Sequence, residues 1–299
     1  MSYTPFVESQ DVLHDPPVLR ARLQEFGYLF FRGLLNKKRL IDLRNEFLII
    51  CDKHGWTVPG SAPEEGRGRK DAYEGYFEFT DVYKDLQLLE SFHALAFDPA
   101  ILDVLRKAFD DDVFPHARNI SRITLPGSAK MTTPSHQDYV FIQGSQAFHT
   151  VWIPLVDCPF ELGGLIVAPG SQHRGILPTT KAAGTGGLCT DVDDDTLEWH
   201  TSEFEVGDFI MFHSLTLHKA LSNTTEDRFR LSCDYRYQPR SESEVVWDTL
   251  RPHMQLYSWE EIYKNWKEDQ FKYYWHKERL SVVPGVHPME VAPAGNADD

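Results

Sequence analysis

The segment from Arg228 to Tyr237 alternates without a break. Phe229, Leu231, Cys233 and Tyr235 fall on one parity, and Arg228, Arg230, Ser232, Asp234 and Arg236 on the other. Successive side chains of a β-strand point to opposite faces, so this pattern predicts a strand with one buried apolar face. The polar face must meet either water, as in a solvated edge strand, or a polar cavity. A sheet with two such unlike faces sits naturally in a layered or closed β structure, not in a helical bundle.

The surrounding chain supports that reading. From about residue 113 to 239, short β-branched and aromatic runs alternate with Pro and Gly turns, the pattern of a sandwich or barrel. Candidate strands are Ile120–Leu125, Tyr139–Ile142, His149–Val156, Gly164–Pro169, Asp208–His213 and Phe229–Tyr237. Helical patterns lie on either side. Asp15-Pro16-Pro17 opens a helix closed by Gly27, and Asn36 caps a second that runs to about His54. An aromatic strand, Tyr28–Phe31, lies between them. Two further helices are predicted over Asp81–Leu95 and Pro99–Phe109. Ser258-Trp259-Glu260-Glu261 forms a capping box before a last helix to about Lys277. Residues 56–72 read as a mobile loop. No repeat or interdomain linker is visible. The expectation is an α+β fold, one domain over residues 1–285 with its β core at about 110–240 and helices outside, then a loose tail over 286–299.

Composition narrows the function. The 299 residues carry a formal charge of −15, which disfavours nucleic acid or an anionic membrane as partner. The N-terminus lacks the basic and apolar blocks of a signal peptide, and no apolar stretch is long enough to span a bilayer. Four scattered cysteines (Cys51, Cys158, Cys189, Cys233) suggest reduced thiols in a cytoplasmic protein.

The chemistry-bearing residues are His136-Gln137-Asp138 and, 80 residues on, His218. With 13 histidines in the chain, any one alone is a weak signal. If the triplet lies in a strand, His136 and Asp138 project to the same side. A second imidazole from elsewhere would complete a two-His, one-carboxylate face for iron(II), leaving the opposite face for an acid co-substrate and oxygen. His218, at the end of an apolar run, is preferred to His213, which has the opposite parity and reads as structural. Arg230 and Ser232, neighbours on the polar face of the alternating strand, would suit a carboxylate. Arg228 shares that parity; its position nearer the turn favours Arg230.

These residues resemble the phytanoyl-CoA dioxygenase family of Fe(II)/2-oxoglutarate-dependent oxygenases. The likeness runs through His136-Gln137-Asp138, Trp152–Leu155, Gly163–Ser171, Gly207-Asp208, His218, Asn223 and Arg230-Leu231-Ser232. It is good over about 110–240 and loose over the N-terminal helices. It implies a double-stranded β-helix (jelly-roll or cupin-like) core with helices packed outside. It also implies His136, Asp138 and His218 as iron ligands and Arg230 on the C5 carboxylate of 2-oxoglutarate. Trp152 stands where the family often has an aromatic residue beside the co-substrate. Thr150 shares its face and could add a hydroxyl contact, and Asn119 is a weaker candidate. Ala220 replaces a serine that touches the co-substrate in some members, and Ser232 could substitute for it.

The implied reaction consumes 2-oxoglutarate and O2, releases succinate and CO2, and hydroxylates a C–H bond of a small molecule. Desaturation or ring formation can arise from the same chemistry. Related halogenases have a small residue at the position of Asp138, so its carboxylate points to oxygenation. Three rival readings are an iron jelly roll that works without 2-oxoglutarate, a metal-binding jelly roll with a structural or sensing role, and an oxygenase of a peptide or basic protein. Substrate identity and oligomeric state are not legible. Candidate substrate contacts are Tyr73, Tyr76, Phe77, Trp199 and Trp247, or the basic Arg67, Arg69 and Lys70. The acidic run 191–195 reads as a solvated loop.

Overall fold

The computed structural model describes residues 3–69, 79–127 and 131–291. Lys70, Tyr73, Tyr76 and Phe77 lie outside the described residues.

The N-terminal helices form where the caps require. Helix α1 (Pro16–Phe26) begins with Asp15 accepting from the Val18 amide at 3.3 Å and ends at Gly27, whose φ of 73° suits a residue without Cβ. Strand β1 (Tyr28–Phe31) follows. Helix α2 (Lys37–Lys53) is capped by Asn36. The single helix expected over Asp81–Leu95 is two, α3 (Phe79–Gln87) and α4 (Glu90–Ala94). The break is fixed from outside, where the Trp266 indole donates to the Leu88 carbonyl at 3.0 Å. Helix α5 (Pro99–Phe109) leads into strands β2 (Val113–Pro115) and β3 (Ile120–Thr124).

Tyr139–Ile142 is a correction. It forms one helical turn, α6, instead of a strand. The Asp138 carbonyl accepts from Phe141 and Ile142 at 3.0 and 3.1 Å, and these contacts override a β propensity that is worth little without a pairing strand. The remaining β elements are β4 (His149–Pro154), β5 (Leu165–Val167), β6 (Thr179–Lys181), β7 (Leu188–Thr190), β8 (Phe209–His213), β9 (His218–Ala220), β10 (Arg230–Pro239) and β11 (Glu244–Val246). The C-terminal helix is also shorter than expected. Helix α7 covers only Trp259–Tyr263, and the chain turns at Tyr273, φ 49°. Rings of Trp259, Tyr263, Tyr273 and Trp275 pack together with centroids 4.9–5.7 Å apart. Burying that aromatic area outweighs the hydrogen bonds of a longer helix. Strand β12 (Ser281–Val283) pairs parallel with β11.

The fold is mixed, with antiparallel sheets. The main sheet runs β1-β8-β4-β10-β2, and β3 also pairs with β10. β5 and β9 form a second antiparallel pair. One face of the main sheet is sealed by helices: Leu231, Cys233 and Tyr235 of β10 share a core with Leu19 of α1, Phe47 of α2 and Val104 of α5. The other face turns toward the small sheet, where Trp152, Ile210 and Phe212 pack with Leu165 and Val167. The polar parity of β10 is therefore enclosed between sheets, not solvated. Arg230, Ser232, Asp234 and Arg236 are all buried.

Described residues in two segments expected to be loose make specific contacts. In the 56–72 loop, the Gly68 amide donates to the Asp227 carbonyl at 2.7 Å and Arg67 pairs with the Asp227 carboxylate at 2.6 Å. Near the C-terminus, Gln143 exchanges two hydrogen bonds with the backbone of Val286, at 2.8 and 2.9 Å. Among the described residues, no helix is long and apolar enough to cross a membrane.

Candidate metal centre and its two cavities

The centre is assembled by a two-residue β bridge. His136 and His218 exchange backbone hydrogen bonds of 3.0 Å each, which sets their rings side by side at 4.1 Å between centroids. Each ring is then oriented by its own chain: His136 Nδ1 lies 2.8 Å from the Pro134 carbonyl, and His218 Nδ1 lies 2.9 Å from the Thr216 carbonyl. A carbonyl only accepts, so Nδ1 carries the hydrogen in both rings and each Nε2 keeps its lone pair. The two Nε2 atoms face Asp138 Oδ1 at 3.6 and 3.7 Å.

Asp138 does not reach this position by strand parity, which is a correction to the sequence argument. It starts the turn α6, in right-handed helical conformation. Its two oxygens are differentiated. Oδ2 accepts from Thr150 Oγ1 and from Arg236 Nη2 and Nε, the latter two at 3.0 and 3.3 Å. Oδ1 is left toward the imidazoles. Between them, Gln137 turns away and clamps the loops behind: its amide donates to Gly175 and Leu215 carbonyls, both at 2.8 Å, and accepts from Leu177 N at 2.9 Å.

Burial and charge set the protonation states. Burial pushes His218 down to about 3, helped by His136. Burial also works to raise Asp138, but the Arg236 guanidinium beside it holds it well below the usual carboxylate range. A neutral His218 and an ionised carboxylate are the forms that ligate metal. His136, Asp138 and His218 are grouped so that one donor atom from each lies within 4.8 Å of the others. Donors on one octahedral face, with bonds of about 2.1 Å, stand ~3 Å apart, so an inward shift of about half an ångström would seat an ion. The donor set, tautomers and open side fit a hard-to-borderline divalent metal such as Fe(II).

The main sheet supplies the floor. Register places Phe212, Thr150 and Arg236 in one row across β8, β4 and β10, and Ile210, Trp152 and Asp234 in the next. Two cavities meet at the centre. The first is lined by Trp152, Leu165, Phe212, Ala220 and Arg230 among others. The second is lined by Arg118, Ile120, Phe141, Ile142 and His253 among others. Arg122, Thr133, His136, Asp138 and Arg236 border both.

Most of the expected residues come together here, and some do not. Arg230 is buried in the first cavity, and its Nη1 donates to Ser232 Oγ at 2.9 Å, whereas Arg228 is exposed. Ser232 does not line the cavity, so it orients the guanidinium. Trp152 walls the cavity and packs edge-on against Phe204, with ring centroids 4.7 Å apart. Thr150 lines the cavity, but its hydroxyl is directed to Asp138. Asn119 is a correction: it is buried away from both cavities and its amide is 3.1 Å from His93 Nδ1. His213 Nδ1 accepts from the Leu215 amide at 3.1 Å and takes no place in the triad. Arg67 and Arg69 also stand outside both cavities, as do Trp199 and Trp247. Sequence reasoning missed Arg236, Arg122 and Arg118. For Arg236 a signal existed, since it shares parity with Arg230 on the alternating strand.

The model of the phytanoyl-CoA dioxygenase family matches residues 23–232. The chain is 27% identical over 262 residues to a 1-deoxypentalenic acid 11-beta-hydroxylase of Streptomyces arenae, covering 80% of this chain and 87% of that protein. It is 26% identical over 251 residues to a probable phytanoyl-CoA dioxygenase of Caenorhabditis elegans, covering 75% of this chain and 78% of the relative. Its fold is shared with the epimerase SnoN in complex with Fe3+, alpha-ketoglutarate and nogalamycin RO, at TM-score 0.55 and 21% identity over 76% of this chain and 84% of the other.

Proposed function

The chain belongs to the phytanoyl-CoA dioxygenase family of Fe(II)/2-oxoglutarate-dependent oxygenases, and on that premise we propose that it hydroxylates an unactivated C–H bond of a small molecule. In this reading His136, Asp138 and His218 hold the iron, and Arg230, steadied by Ser232, anchors the far carboxylate of 2-oxoglutarate. The observation that carries it is the convergence of two lone-pair Nε2 atoms and Asp138 Oδ1 at the inner end of a cavity that also contains a buried arginine fork. When bound, iron and 2-oxoglutarate supply O2-dependent oxidation of the substrate with release of succinate and CO2.

The chain's own residues do the positioning. Arg236 and Thr150 hold Asp138 so that one oxygen is always presented to the metal. Trp152 and Phe212 give the first cavity apolar walls, in which the charge-assisted hydrogen bonds of Arg230 are strengthened. The carboxylate of Asp138 fills the coordination position that a halide would need, which supports oxygenation over halogenation. The two facing sheets, with helices on one outer side, support a double-stranded β-helix core. All four cysteines are free thiols, which fits the cytoplasm.

The test is a substrate screen that reads succinate release with Fe(II), 2-oxoglutarate and ascorbate. Asp138→Ala, His136→Ala and His218→Ala should each abolish substrate-dependent succinate. Full turnover in any of the three would sink the ligand assignment.

A further inference from the structure

Three guanidinium groups, from Arg118, Arg122 and Arg236, border the second cavity. Two have carboxylate partners. Arg122 Nε donates to Asp234 Oδ2 at 2.9 Å, and Arg236 Nη2 donates to Asp138 Oδ2 at 3.0 Å. Arg118 has none among the described residues. Its backbone amide donates to the Thr249 carbonyl at 3.0 Å, but its Nε is buried without an acceptor. Asp248 is exposed and lies 3.9 Å from Arg251 instead. A second orphan donor is Nη1 of Arg236, itself only 3% exposed. His253 adds no charge, because burial and the three guanidinium groups push it well below its usual value.

Leaving a guanidinium donor buried without a partner is costly, and chains seldom keep one unless something else supplies the acceptor. Among the described residues these three cations have two carboxylates at hydrogen-bonding distance, and Arg118 has only the more distant, exposed Asp248 acting on it through space. The remaining lining mixes apolar Ile120, Phe141 and Ile142 with the neutral Thr133, Thr185 and Gly186, so it adds no further charge. The ligand this cavity complements therefore has one negative charge and a hydrocarbon body. A planar carboxylate matches the two-pronged donor geometry of arginine.

We infer that the substrate is a monocarboxylic acid with an apolar skeleton, its carboxylate bound by Arg118 and by the unused Nη1 of Arg236. The skeleton rests on Phe141 and Ile142, and the carbon to be oxidised points to the side of the cavity formed by His136 and Asp138. The inference rests on the preceding reading of that side as the iron centre. Arg118 is on this account a binding and specificity residue, separate from the co-substrate anchor Arg230.

The test is calorimetric titration with matched probes: decanoate and a fused-ring alicyclic carboxylate against their primary amides. It is run on the metal-free chain and again, without oxygen, with Fe(II) and 2-oxoglutarate. The acids should bind about tenfold or more tightly than the amides. That preference should vanish in Arg118→Gln, survive in part in Arg118→Lys, and persist in Arg230→Leu. Equal binding of acid and amide overturns the inference, as does no acid binding at millimolar concentration. A preference that survives Arg118→Gln, or that disappears only in Arg230→Leu, overturns it too. Arg118→Gln should fold, because among the described residues no side chain hydrogen-bonds to this guanidinium and so none is stranded; its failure to fold would count against the assignment. A separate 2-oxoglutarate titration of the Fe(II)-loaded chain reads the co-substrate site. Absence of 2-oxoglutarate binding beside an intact acid preference would refute the oxygenase reading and leave the acid site standing.

Discussion

Replacing Thr150 by valine removes one hydroxyl and almost nothing else. The side chain is buried and directly opposite Arg236 across β4 and β10, and its hydroxyl donates to the Asp138 oxygen that faces away from the imidazoles. A hydrogen bond to a charged group is worth about 1.5–3 kcal/mol. Arg236 retains its two bonds to the same oxygen, at 3.0 and 3.3 Å, so Asp138 stays ionised and only part of its orientation is lost. The expected cost is therefore at the low end, about 1.5 kcal/mol, or roughly tenfold in metal affinity. Anaerobic Fe(II) titration of wild type, Thr150→Val and Thr150→Ser measures it, with serine expected to recover most of the loss. The KM for 2-oxoglutarate at saturating iron should change little. If Thr150→Val binds Fe(II) within twofold of wild type while its KM for 2-oxoglutarate rises, the hydroxyl serves the co-substrate and the assignment to Asp138 is refuted.

Arg230→Leu should raise the KM for 2-oxoglutarate far more than Arg228→Leu, since Arg230 is buried in the first cavity and Arg228 is exposed; the reverse ranking in steady-state kinetics would show the wrong arginine had been chosen. Gln137→Leu should destabilise the chain by on the order of 2 kcal/mol in urea unfolding, because one buried and two half-buried backbone groups lose their partner. Acid should destabilise the fold through His93 and His116, which burial holds down at about 4. Between their ordinary value of about 6.5 and 4, the unfolded chain binds these protons and the folded chain does not, so stability falls as pH drops through that window. Each site contributes at most about 3 kcal/mol by this linkage, and His93→Gln/His116→Gln should flatten the unfolding-versus-pH curve between 6.5 and 4.

Local periodicity determined much of this protein before any coordinates. The alternation of β10, the Asp15 and Asn36 caps and the Gly27 stop are properties of neighbouring residues, and each element formed close to its expected bounds. The grouping of His136, Asp138 and His218 was also legible, as was the greater exposure of Arg228 near the turn. Tertiary contacts decided the rest. Tyr139–Ile142 looked like a strand but had no strand to pair with, and the last helix was cut short by an aromatic cluster. Asp138 was placed on the right side for the wrong reason, by a helical turn instead of strand parity. The partners of Asp138 come from residues 12 and 98 positions away, brought together by strand register that no local pattern encodes. The same holds for the second cavity: Arg118, Phe141 and His253 become neighbours only when three distant segments close over the sheet. The sequence by itself determined which residue types could bind a metal and a dicarboxylate. Only the packed structure decided which oxygen of Asp138 faces the imidazoles and which arginine has no carboxylate partner among the described residues, because both depend on charges and hydrogen bonds made across the fold.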